Sequence, residues 1–144
     1  MFKILIAASL ATLFTAPFTA AETFEVLMLN KGVEGTMVFE PAFVRAAVGD
    51  TINFVATDKG HNVESIAGML PEAVAPVKSK LGEDFTLTVE NEGIYGFECT
   101  PHFAMAMVAL IQVGVPANLE AASAVVLKGK AKTRFEPLFA QIVQ

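Results

Sequence analysis

The chain has 144 residues, with 10 Lys and Arg against 15 Asp and Glu, a net charge of −5 and a mean hydropathy of +0.53. That length suits one domain with a buried core. The acidic balance excludes a nucleic-acid binder, which needs a basic footprint to neutralise phosphates, and a single cysteine, Cys99, excludes an internal disulfide.

Lys3 opens a segment that turns apolar from Ile4 to Phe18, and Thr19-Ala20-Ala21 then places small residues where a signal peptidase cuts. Residues 1–21 therefore read as a cleaved secretory signal peptide, with a mature domain spanning 22–144. The run is short for a bilayer span of about 20 residues, and Pro17 also argues against an anchor. No later stretch is apolar and long enough to cross a membrane. Losing Lys3 takes the mature chain to a net charge near −6.

Short alternating segments dominate the mature chain up to residue 113. Phe24, Val26 and Met28 share one face of a strand over 23–28. Segments 36–39 and 42–48 are extended and separated by Glu40-Pro41. Gly49-Asp50 turns the chain into a strand with Ile52, Phe54 and Ala56 on one side. Residues 65–82, interrupted by Gly68, Pro71, Pro76 and Gly82, read as a long loop with one helical turn at most. Residues 85–89 alternate cleanly, Asn91-Glu92-Gly93 turns, and 94–99 follow as a strand ending at Cys99. Residues 108–113 are a last, nearly all-apolar strand. Period-2 segments joined by turn signals predict an antiparallel β-sandwich.

The tail changes character. From about Pro116 to Val126 it is rich in Ala, Leu and Glu, which predicts a helix with Pro near its start and Gly129 ending it. Thr133-Arg134-Phe135-Glu136 matches a capping box. It predicts a second short helix that starts near Thr133, with Pro137 in its first turn and Leu138, Phe139 and Ile142 at helical spacing.

The chemistry gathers around the lone thiol. Cys99-Thr100-Pro101-His102-Phe103-Ala104-Met105-Ala106-Met107 holds a thiolate, an imidazole and two thioethers in nine residues. The only other histidine, His61, lies in a turn, Asp58-Lys59-Gly60-His61-Asn62. Two His, one Cys and a weak axial Met form the ligand set of a blue copper site. Soft sulfur ligands favour Cu(I) and imidazole suits Cu(II), so the set supports cycling between them. A structural zinc site wants four N, S or O ligands, and Met serves zinc poorly. A cysteine hydrolase would pair Cys99 with His61 or His102, but it would leave the methionines without a role and show no orienting third group.

Met28-Leu29-Asn30-Lys31-Gly32, Gly60-His61-Asn62-Val63, Cys99-Thr100-Pro101-His102 with Met105 and Met107, the long 66–82 loop and the helical tail resemble the pseudoazurins. The resemblance covers essentially the whole mature chain. It implies an eight-stranded Greek-key cupredoxin sandwich, mainly β, with two short C-terminal helices in an extension from about residue 116. It implies one copper ion per chain held by His61, Cys99, His102 and Met107, with Met105 a neighbouring non-ligand. Asn62 matches the residue that tethers the two ligand loops and whose backbone N–H meets the Cys99 sulfur. Met37 matches a side chain set against the exposed His ring. In function the resemblance implies a monomeric periplasmic one-electron shuttle, not an enzyme, that exchanges electrons with nitrite reductase or c-type cytochromes. The alternative is a periplasmic copper carrier. Docking is expected through an apolar patch of Met37, Pro101, Phe103 and Ala104 around His102, rimmed by Lys31, Lys59 and Lys78. Two residues depart from the family pattern: Ala106 stands where Gly is usual, and Glu98 where Lys is frequent.

Overall fold

The structure, a computed structural model, describes residues 20–144. The expected signal peptide, 1–21, lies outside the described residues except for its last two. Eight strands form: β1 Thr23–Gly32, β2 Gly35–Glu40, β3 Phe43–Ala46, β4 Thr51–Val55, β5 Glu64–Ser65, β6 Phe85–Thr88, β7 Gly93–Glu98 and β8 Val108–Val113. They make two four-stranded sheets, ordered β2-β1-β4-β6 and β3-β8-β7-β5. Two helices close the chain, α1 Leu119–Ser123 and α2 Gly129–Phe139.

Alternation decides which side chains meet between the sheets. Val26 and Met28 of β1 and Ile52 and Phe54 of β4 are fully buried, as the period of 2 requires. Phe54 is the hub, with ring centroids 5.7 Å from Phe39, 6.3 Å from Phe85 and 5.3 Å from Phe97. Truncating it to alanine is expected to cost about 3–5 kcal/mol.

Strand β8 is apolar throughout because both of its faces are covered. Ala109, Ile111 and Val113 join the core between the sheets. Val108 and Leu110 face the other way, into a second cluster with Phe135 and Leu138 of α2. The tail helices thus cover a sheet face that would otherwise expose a contiguous apolar patch.

The pairing is mixed rather than purely antiparallel, since β1 runs parallel to β4 and β3 parallel to β8. After the β1–β2 hairpin the chain crosses to the second sheet as β3 and returns as β4 beside β1, so the two meet with the same sense. Residues 66–82 contain turns but no helix, and β5 reduces to two residues paired with β7. The tail also differs from expectation. Helix α1 is only five residues long. Helix α2 starts at Gly129 rather than near Thr133, with no side-chain cap at its N-terminus. The capping-box residues therefore lie inside it, and Pro137 falls near its C-terminal end. Burial explains the shift: Ala131, Phe135 and Leu138 are the buried residues of α2, and including Ala131 requires the helix to begin earlier.

Candidate metal centre

The β7–β8 ladder pairs Glu98 with Val108, and Cys99 and Met107 extend it by one step, the Cys99 N–H donating to the Met107 carbonyl at 3.0 Å. The seven residues between them form a short 3₁₀ segment, Thr100–Met105, and a left-handed closing residue, Ala106, at φ 68°. His102 N–H donates to the Cys99 carbonyl at 3.0 Å, Ala106 N–H to Phe103 at 2.8 Å and Met107 N–H to His102 at 3.2 Å. The loop is thus held by its own backbone, and Pro101 stiffens its first turn.

His61 reaches the same place from the turn after β4. Its Nδ1 lies 3.7 Å from the Cys99 sulfur and 3.1 Å from His102 Nδ1, and His102 Nδ1 lies 3.5 Å from that sulfur. Among the described residues, these three form a group whose ligand atoms all fall within 4.8 Å of one another. Donors at about 2.0 Å for nitrogen and 2.3 Å for sulfur around one tetrahedral centre stand about 3.3–3.6 Å apart. The spacing observed fits a single small metal ion.

The methionines separate clearly. Met107 is fully buried in the same core cluster as Cys99. Met105 is 43% exposed and lines a groove against α2. Only Met107 combines the ladder position beside Cys99 with burial.

A set of polar contacts orients the donors. His61 Nε2 donates to Asn30 Oδ1 at 2.9 Å, which leaves Nδ1 bare and aimed at the sulfur. Asn62 grips the other loop: its Oδ1 accepts from Thr100 N–H at 2.8 Å and its Nδ2 donates to Thr100 Oγ1 at 3.0 Å. Thr100 Oγ1 donates in turn to Glu64 Oε2, which also pairs with Lys78 Nζ at 2.9 Å. Asn30, Thr100 and Glu64 carry no signal as supports in the sequence. Each becomes one only when β1, β5 and the metal loop meet.

The electrostatics suit a metal site. Burial lowers the His61 pKa, and the neighbouring His102 adds to this while Asp58 opposes it, which favours the neutral imidazole, the form able to bind a metal. Burial raises the Cys99 thiol, against the backbone N–H groups of Asn62 and His102, which favour its thiolate. Ionisation of this thiol therefore belongs to metal binding itself. Burial also raises Glu98, and Glu64 directly across the β5–β7 pair adds to it.

Residues 26–114 match the family described as copper binding proteins, plastocyanin/azurin family. A pseudoazurin of Paracoccus pantotrophus is 55% identical over 139 residues, covering 96% of each chain. A pseudoazurin of Methylorubrum extorquens is 48% identical over 99% of this chain and 98% of its own. Among solved structures, the pseudoazurin of Hyphomicrobium denitrificans superposes with a TM-score of 0.81 at 45% identity, covering 85% of this chain and 99% of its own. A soft thiolate beside two imidazoles suits the copper that this family binds. The chain belongs to the plastocyanin/azurin family of copper-binding proteins, in its pseudoazurin branch.

Proposed function

We propose that His61, Cys99, His102 and Met107 hold one copper ion and that the chain carries single electrons, without catalysing a reaction of its own. The observation that carries this reading is the convergence of two imidazole nitrogens and one thiol sulfur within 4.8 Å on two loops already tied together. When bound, copper supplies a one-electron couple between Cu(II) and Cu(I). The protein keeps its donors in place across that change. Asn30 holds the His61 ring, Asn62 and Thr100 lock the two loops, and the Cys99–Met107 backbone bond fixes the thiolate. Little has to move when the charge changes, so the transfer meets a small reorganisation barrier. His102 is half-buried at the outer end of the site, and it offers the short path to a partner.

In the fuller reading, residues 1–21 direct export to the periplasm and are removed. The domain then works as a monomer between c-type cytochromes and a nitrite reductase. This rests on the pattern of Lys3, the apolar run and Thr19-Ala20-Ala21, and on the likeness to pseudoazurins.

An absorption spectrum of the copper-loaded protein tests the site. An intense visible thiolate-to-Cu(II) band is expected. It should vanish in Cys99→Ser and return unchanged through cycles of reduction and oxidation. A colourless copper-loaded protein overturns the assignment. Loss of the ion on reduction turns the function towards copper delivery.

A further inference from the structure

Four of the ten Lys and Arg residues fall within seven positions, Lys128, Lys130, Lys132 and Arg134, with no acidic residue between them. Lys128 immediately precedes α2 and the other three lie in its first half; none forms an ion pair among the described residues. Lys130 and Arg134 are four apart, so they share one face of the helix. That face forms one wall of an open groove of about 650 Å³, with Thr133 and Pro137, and the other wall is Met105 and Ala106 of the metal loop. Arg134 also lies against the β1–β2 turn: its guanidinium is 3.6 Å from where a Cβ on Gly35 would sit.

The opposite side of the loop has a different charge. Sheet order β3-β8-β7-β5 puts Glu64 on the far edge. Glu98 stands across from it, and Lys78 is engaged by Glu64. The metal loop therefore lies between a cationic helix and an edge where two carboxylates offset one lysine. In a chain of net charge −5, this local asymmetry sets the direction in which a charged partner is drawn.

We infer that an acidic redox protein docks on the α2 side of the metal loop, its carboxylates meeting Lys130 and Arg134 across the exposed Met105. The inference rests on the electron-carrier reading and moves the basic rim away from Lys31, Lys59 and Lys78. One electron passes from the reduced carrier to the partner's ferric haem iron, which becomes ferrous; no atom or proton is transferred. Cations beside a small apolar contact suit a transient complex, since rim charges set association rate and salt dependence more than final affinity.

Two measurements test it, the first independent of electron transfer. Hexacyanochromate(III), a redox-inert paramagnetic trianion, is added to the metal-free protein. It should broaden the amide NMR signals of Met105, Ala106 and 129–134, and added salt should remove the effect. Broadening centred on Lys31, Lys59 or Lys78, or none, overturns the inference. The second is the bimolecular rate of reduction of an acidic c-type cytochrome at about 10 mM ionic strength, where the Debye length is about 30 Å. Lys130→Glu, and the pair Lys130→Glu with Arg134→Glu, should slow it by about tenfold or more, within the range of electrostatic steering, and the loss should fade with salt. Lys59→Glu with Lys78→Glu should change it less. The reverse order overturns the inference. So does binding of the native protein to anionic lipid vesicles that Lys130→Glu abolishes while leaving the cytochrome rate unchanged. If no protein, native or variant, reduces the cytochrome, the electron-carrier reading fails while the NMR footprint still decides the cationic face.

Discussion

Asn30 holds His61 from behind, its Oδ1 2.9 Å from Nε2, while its own N–H donates to Asp58 Oδ2 at 2.7 Å. One residue of β1 thus fixes both the ligand ring and the turn that carries it. Asn30→Ala should weaken metal binding by about 10–100-fold, the usual effect of removing such a support. A competitive copper titration checks this. Unchanged affinity means that burial alone holds the ring.

Met107→Gln should lower the reduction potential, because a thioether favours Cu(I) more than an amide oxygen does and the axial ligand tunes such sites. Met105 is exposed against α2. Met105→Gln should leave the potential nearly unchanged and shift stability by no more than about 0.5 kcal/mol. Voltammetry of the two variants decides which sulfur faces the metal.

Ala106 is buried at φ 68°, where a Cβ costs about 1–2 kcal/mol. Glycine relieves that strain but adds freedom to the unfolded chain worth about 0.4–1 kcal/mol. Ala106→Gly should therefore stabilise the metal-free protein by up to about 1.6 kcal/mol. Urea unfolding that shows a clear loss instead means the methyl makes a needed contact, and the strain argument is wrong.

Stability of the metal-free protein should peak between two titrations. The folded pKa of His61 lies below 6.5, so the unfolded chain binds that proton more tightly and stability falls as pH drops through and below 6.5. The folded pKa of Cys99 lies above 9.0, so the unfolded chain loses that proton first and stability falls as pH rises past 9.0. Denaturation across pH should show both flanks. His61→Asn should flatten the acid one and Cys99→Ser the alkaline one. A flat profile in the parent protein contradicts the burial argument.

The meeting of His61, Cys99 and His102 was legible because the chemistry is concentrated: one Cys and the only two His leave few alternatives. The long strands were legible through alternation, as in Phe24, Val26 and Met28. Strand β5 was not, because two residues carry no period and exist only by pairing with β7. The start of α2 was misplaced because Thr133 and Glu136 imitate a cap, while the true start is set by burying Ala131 under the helix. The supports of the site were invisible for the same reason: Asn30 and His61 are 31 positions apart, and only the packing of β1 beside β4 brings them together.

The separation of the donors along the chain has a consequence for folding. Cys99, His102 and Met107 lie within nine residues, but His61 is 38 positions before Cys99. An ion bound to both His61 and Cys99 closes that long segment, which holds β5, β6 and β7. In the chain-entropy account, a crosslink across such a length restricts the unfolded state by about 4 kcal/mol. A chain with one cysteine has no disulfide to do this. In the proposed site the metal would serve as that staple, and the atoms proposed to carry the electron would also tie the 66–82 loop to the last strands.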